Sequence, residues 1–144
     1  MEVAVLFERD LNKLIAEINL YKNEEDLWKI KDGVSNSAGN LALHLIGNLN
    51  YFIGTILTDN NYVRDRDKEF SEKNIPRIVL VEELQKLISL IKNTLPKLPE
   101  QTLKQDFPIP LNGNILSTED LLIYLLAHLN YHLGQVNYLR RIIN

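Results

Sequence analysis

Apolar residues recur every three or four positions along four segments of the chain, and this periodicity constrains the fold most strongly. We expect helices over about residues 2–22, 37–58, 79–95 and 118–142. No segment shows the alternation that predicts a strand. Four long amphipathic helices in 144 residues predict an all-α chain, with residues 1–144 forming a single four-helix-bundle domain.

Capping residues and a proline indicate where these helices begin and end. Asn36 or Ser37 is suited to cap the second helix, and Ser117 or Thr118 the last one. Their side-chain oxygens can accept hydrogen bonds from the free N–H groups of the first turn. Pro96 is expected to end the third helix, because proline cannot continue the hydrogen-bonding pattern.

The connections between the predicted helices are long. Residues 59–77 are polar and can travel back along a helix of about 33 Å, at about 1.5 Å per residue. Helices two and three are therefore expected to run parallel, which gives up-down-down-up order with long crossover connections. A short helical turn over residues 24–30, anchored by Trp28, is expected after the first helix.

Charge and composition exclude several classes of function. The net charge is -3, which disfavours nucleic-acid partners and anionic membranes, since both usually require a basic face. The chain has no cysteine, which excludes disulfides, a cysteine nucleophile and cysteine-ligated metals. The longest apolar stretch, residues 121–129, is too short to span a membrane. We therefore expect a soluble cytoplasmic protein that acts on a small molecule, without nucleic-acid or membrane partners.

All three histidines fall on interior stripes of two predicted helices. His128 and His132 are four residues apart, so their side chains lie one turn apart on one face of the last helix. His44 lies in the middle of the second helix. A buried imidazole without a partner costs about 1–3 kcal/mol, and a metal ion bound to the rings would remove that cost. Spacing alone leaves two interpretations open: metal ligands, or hydrogen-bonded core histidines.

Three segments resemble the DinB/YfiT-like superfamily, including the last-helix motif His-Leu-Asn-Tyr-His. They lie in the second helix, the first long connection and the last helix, at residues 40–54, 62–70 and 128–141. The resemblance implies a four-helix bundle, a homodimer and a divalent metal, nickel or zinc, held by His44, His128 and His132. It favours an enzyme that transfers a low-molecular-weight thiol to an electrophile. A hydrolase that uses a metal-bound water and a non-enzymatic metal-binding stress-response protein are the alternatives.

Other residues are candidates for supporting roles. Asn48 lies one turn after His44 and can orient a ligand or substrate, or else bond to neighbouring backbone. Arg64 and Arg66 can bind a carboxylate of the thiol cosubstrate, or else form salt bridges in a solvated loop. No carboxylate stands beside the histidines on either of the two helices that carry them, and the lack of a general base weakens the hydrolase interpretation. Glu17 on the first helix is expected to face solvent, with approach to the histidine site as the alternative.

Three glycines lie inside predicted helices, where each costs about 1 kcal/mol relative to alanine. We expect close helix contact to explain Gly47, Gly54 and Gly134, with room for a ligand as the alternative. Gln135 and Tyr131 flank the histidine pair and are expected to be surface or packing residues.

Overall fold

The computed structural model describes residues 2–144, which are all-helical and contain no β-strand. The α-helices within this range are α1 Val3–Leu20, α2 Ala38–Leu49, α3 Arg66–Ser71, α4 Arg77–Thr94, α5 Glu100–Lys104 and α6 Thr118–Ile143. The prediction of an all-α chain is confirmed, and its four long segments coincide with α1, α2, α4 and α6. The predicted number of helices is too low, because α3 and α5 form inside the two long connections.

Side-chain caps determine where three of the helices begin. Ser37 and Ser117 each accept a hydrogen bond from the backbone N–H three residues further on, so the serine in each predicted pair of candidates is the cap. Asp65 caps α3 in the same way. This cap explains why a helix forms inside a charged connection that was expected to be irregular. The predicted helical turn after α1 is a 3-10 helix, Glu24–Trp28.

The second long helix continues beyond α2 as a π-helix, Asn50–Leu57, and so ends close to the predicted residue 58. A π-helix bonds each N–H group to the carbonyl five residues earlier, and such segments occur frequently at functional sites. Here the π-helix follows the α2 turns that carry His44 and Asn48. It also carries Tyr51, whose ring centroid lies 5.9 Å from the Arg64 guanidinium.

Contacts between side chains give the directions of the long helices. α1 and α6 run parallel, because Asn130 bonds to Asp10 near the middle of each helix and their C-terminal ends also meet. α4 runs opposite to α1, since an ion pair joins the end of α4 to the start of α1. α2 runs opposite to α6, because Phe52, beyond the end of α2, lies 6.1 Å from Phe107, which precedes α6.

The core lies between α1 and α2, each of which packs against both α4 and α6. α1 contributes fully buried residues such as Phe7 and Leu14 at helical spacing. Buried polar residues are concentrated elsewhere, where α2 meets α3 and α6; these include His44, Asn48 and Glu69. Within residues 2–144, no helix combines the length and apolar character that a membrane crossing requires.

Candidate metal centre

Three imidazole rings meet between α2 and α6. Nε2 of His128 lies 3.2 Å from Nε2 of His44 and 3.1 Å from Nε2 of His132. One ligand nitrogen from each ring lies within 4.8 Å of the others. His44 is buried on α2, and the other two histidines are half-buried, one turn apart on α6. The structure thus brings together the three histidines that helical spacing placed on interior stripes.

Two of the three separations between these nitrogens match those of ligands bound to one ion. Imidazole nitrogens bind zinc at about 2.0–2.1 Å, so two tetrahedral ligands lie about 3.3–3.4 Å apart and two at right angles about 2.9 Å apart. The observed distances of 3.2 and 3.1 Å fall between these values. Nε2 of His128 therefore lies at ligand spacing from both of the other nitrogens, and the three histidines can hold a metal ion.

Hydrogen bonds fix the tautomers of two rings. Nδ1 of His44 lies 3.0 Å from Oε1 of Glu69, and Nδ1 of His132 lies 2.6 Å from Oε1 of Gln135. Because both oxygens are acceptors, each Nδ1 carries the hydrogen, which leaves a lone pair on Nε2 when the ring is neutral. Both lone pairs face Nε2 of His128, which can donate only one hydrogen. At least one of the two contacts, His128 with His44 or His128 with His132, therefore has no hydrogen between its nitrogens. A cation shared by the three nitrogens would satisfy all three lone pairs.

Burial also keeps the rings of His128 and His132 neutral. Burial, followed by the nearby histidines, lowers the pKa of His128 to about 4. Burial lowers the pKa of His132 as well, against the raising effect of its hydrogen bond to Gln135. At neutral pH an extra proton on either ring therefore does not explain the close nitrogen contacts. Neutral imidazole is the form that binds metals.

A carboxylate from α3 orients His44. Glu69 is 6% exposed and accepts hydrogen bonds from Nε and Nη2 of Arg64 at 2.8 and 2.9 Å, in addition to the one from His44. Burial raises the pKa of Glu69, but the hydrogen bonds from His44 and Arg64 outweigh burial and keep that pKa below its usual value. A carboxylate on the second nitrogen of a metal-binding histidine fixes the tautomer and raises the basicity of the ligand.

The site does have a carboxylate, although the expectation holds for the two helices that carry the histidines. That expectation rested on α2 and α6 alone, whereas Glu69 comes from a short helix inside the first long connection. The available signal was Asp65, a capping residue four positions before Glu69. Both oxygens of Glu69 are engaged, and they lie on the Nδ1 side of His44, away from Nε2. Glu69 therefore orients His44 and is not placed to act as a general base.

Gly47 leaves room for this carboxylate. It lies three residues after His44, and a Cβ added there would lie 2.6 Å from Cδ of Glu69 and still closer to Oε2. The close contact predicted for this glycine is present, and it is with a side chain of α3. Gly54 likewise faces the side chain of Asn60, whereas Gly134 has no atom of a neighbouring element within 4 Å.

The sequence as a whole matches one family. The model of the family described as protein of unknown function (DUF1572) matches residues 7–144. The chain belongs to the DUF1572 family. All three histidines and Glu69 of this DUF1572 protein lie within the matched range. None of the curated proteins is similar enough to the chain to count as a match.

The two arginines of the DUF1572 chain that were candidates for cosubstrate binding have different surroundings. Arg64 forms an ion pair with Glu69 through its guanidinium, as in the salt-bridge alternative. Arg66 is exposed at the start of α3 and, within residues 2–144, forms no hydrogen bond or ion pair of its side chain. After burial and the neighbouring histidines, Arg64 and Arg66 also lower the pKa of His128. The charge of Arg66 is therefore close enough to act on the histidine cluster.

Asn48 of this DUF1572 protein is buried one helical turn after His44, whereas Glu17 contacts α6 elsewhere. Asn48 is 8% exposed, and its Oδ1 is buried without a hydrogen-bond partner within residues 2–144. The carboxylate of Glu17 accepts hydrogen bonds from Asn137 and Arg140 of α6. The expectation that Glu17 faces solvent is therefore wrong, because α1 and α6 lie side by side and bring donors to it.

Proposed function

We propose that this DUF1572 protein is a metal-dependent enzyme of the DinB/YfiT-like superfamily that transfers a low-molecular-weight thiol to an electrophilic small molecule. In this proposal α1, α2, α4 and α6 form an up-down-down-up four-helix bundle, and His44, His128 and His132 hold one divalent ion, nickel or zinc. The observation that supports it most strongly is the convergence of three imidazole nitrogens, with Nε2 of His128 lying 3.2 Å from Nε2 of His44 and 3.1 Å from Nε2 of His132.

The donor set suits catalysis. Three histidine ligands with a further position for substrate are typical of catalytic zinc sites, whereas structural sites use four protein ligands. When bound, a divalent metal supplies Lewis-acid chemistry that lowers the pKa of a thiol or water. The chain contains no cysteine, so the reacting thiol must come from a cosubstrate.

The surroundings of the histidines favour thiol transfer over hydrolysis. Deprotonation of water is usually assisted by a protein base. Within residues 2–144, the carboxylate bonded to the histidines is that of Glu69, and both of its oxygens are engaged. A thiol has a pKa of about 8.5, against about 15.7 for water, so its proton can leave to solvent without a base. The thiol sulfur then bonds to the electrophilic carbon, and the leaving group departs with its bonding electrons.

Arg66 supplies a group that can bind an anionic cosubstrate in this proposal. Its guanidinium is exposed and lies close enough to influence His128. A guanidinium binds a carboxylate through two parallel hydrogen bonds. In this proposal Arg66 binds the carboxylate of the thiol cosubstrate.

An assay of thiol conjugation tests the proposal. Metal-loaded protein is expected to join a carboxylate-bearing thiol to 1-chloro-2,4-dinitrobenzene and release chloride. Arg66→Gln is expected to raise KM for that thiol about tenfold with little change in kcat, since a hydrogen bond to a charged group contributes about 1.5–3 kcal/mol and less when exposed. KM for uncharged 2-mercaptoethanol should not change.

Lys68→Gln is the matched control for Arg66→Gln, because Lys68 is an exposed cation on the same helix. It is expected to leave KM for both thiols unchanged. Turnover of an ester or amide without added thiol would indicate a hydrolase. Tight metal binding with neither reaction would indicate a non-enzymatic protein. Either result rejects thiol transfer.

The exposed face of α6 supports a homodimer as part of this proposal. Tyr124, Tyr131 and Tyr138 are spaced by seven residues and are 42%, 66% and 65% exposed. Ala127 and Gly134 lie between them on the same face. One helix thus offers both large side chains and small gaps, so two copies of this face can interlock.

We expect the wild type to sediment as a dimer and Tyr131→Glu to sediment as a monomer. A monomeric wild type would exclude the proposed homodimer.

A further inference from the structure

Each metal-binding histidine needs a partner for its second ring nitrogen, and one of the three lacks it. Nδ1 of His44 and Nδ1 of His132 have acceptors in Glu69 and Gln135. Nδ1 of His128 is buried without a hydrogen-bond partner within residues 2–144. A neutral imidazole that uses Nε2 as a ligand carries its hydrogen on Nδ1. That buried N–H group then requires an acceptor.

Asn48, one turn after His44 on α2, offers an acceptor for a hydrogen bond. Its Oδ1 is buried without a partner within residues 2–144, and the residue is 8% exposed. The ring of His44 lies almost midway between those of His128 and His132, at centroid distances of 5.1 and 5.2 Å. α2 and α6 are antiparallel, so a step of one turn toward the C-terminus of α2 corresponds to a step toward the N-terminus of α6. On α6 that step leads from His132 toward His128. Asn48 therefore lies at a level of α2 nearer to His128 than to His132.

We propose that Asn48 is a positioning residue for His128, whose Nδ1–H donates to Oδ1 of Asn48, directly or through one water, when Nε2 serves as a metal ligand. This inference rests on the proposed three-histidine metal centre. With this bond each ligand ring has its own oxygen acceptor. The two unpaired buried atoms at the site then satisfy each other.

Substitution by leucine separates a positioning role from a structural one. Asn48→Leu removes the acceptor and keeps a similar size, and its zinc dissociation constant is expected to rise about 10–100-fold. The melting temperature of the metal-free variant is expected to stay the same or rise, because an unpaired buried oxygen is replaced by an apolar group. Asn48→Asp retains an acceptor and is expected to keep zinc affinity within about threefold of wild type.

Asn50→Leu is the matched control, because the Asn50 amide donates to Ile46 of its own helix; its zinc affinity should not change. Nitrogen-15 NMR of zinc-loaded protein provides a direct readout, with the Nδ1–H signal of His128 shifted and exchanging faster in Asn48→Leu. Unchanged zinc affinity in Asn48→Leu, beside a wild type that binds zinc, overturns this inference alone. A wild type that binds no zinc overturns the proposed metal centre itself.

Discussion

A His128→Ala variant is expected to lose stoichiometric zinc binding, with a dissociation constant raised more than about 100-fold. Removal of a residue that only supports a ligand usually costs about 10–100-fold, and His128 is placed to be a ligand. Its Nε2 is the atom that lies 3.2 and 3.1 Å from the other two ligand nitrogens. Without it, two imidazoles on different helices remain, which is fewer than the three protein ligands typical of catalytic zinc sites.

Thermal unfolding with added zinc or chelator measures this loss. A ligand at about 100 times its dissociation constant stabilises the folded state by about 2.7 kcal/mol, so zinc should raise the melting temperature of the wild type. It should raise that of His128→Ala hardly at all. Asn137→Ala is the control, because it removes a hydrogen bond to Glu17 elsewhere on α6 and should keep the zinc-induced rise. A full rise in His128→Ala would contradict the proposed ligand set.

Gly47→Ala is expected to weaken zinc binding about 10–100-fold, although Gly47 carries no side chain to contact a metal. The new Cβ would lie 2.6 Å from Cδ of Glu69, and that carboxylate is held in place by Arg64 and His44. The carboxylate must therefore move, and His44 loses the acceptor that fixes its tautomer. Overpacking of this kind also costs about 1–3 kcal/mol of folding stability.

Two variants separate these effects of Gly47→Ala. Glu69→Gln keeps the size of the side chain but removes its charge, so it should reproduce the loss of zinc affinity without the overpacking. Gly134→Ala has no neighbouring element of the same chain within 4 Å of the added Cβ, so it should leave zinc affinity unchanged. Equal zinc affinity in Gly47→Ala and wild type would show that Glu69 does not support the ligands.

The parts of this structure that depend on local sequence could be predicted. Ser37 and Ser117 cap helices through bonds within one turn, so their neighbours alone identify them. The inward direction of His128 and His132 follows from helical periodicity along α6. The convergence of His44 with that pair required the packing of two helices, and spacing alone left it undecided.

The role of Glu69 could not be predicted, because it depends on contacts between distant segments. Glu69 accepts a hydrogen bond from His44, which lies 25 residues earlier in the chain. The position of Glu69 depends on α3, which forms inside a connection that shows no apolar periodicity. The room left by Gly47 is visible only once α3 is docked on α2. The same holds for Glu17, whose partners on α6 are more than 100 residues away and come close only through tertiary packing.

X-ray absorption spectroscopy of the zinc-loaded wild type tests the three-histidine site most directly, because multiple scattering from imidazole rings counts histidine ligands. We expect one zinc ion per chain, with three imidazole nitrogens at about 2.0–2.1 Å and the remaining position filled by a non-protein atom that an added thiol replaces with sulfur. A spectrum with fewer than three imidazoles, or a chain that retains no zinc, would contradict the convergence of His44, His128 and His132 on a single ion.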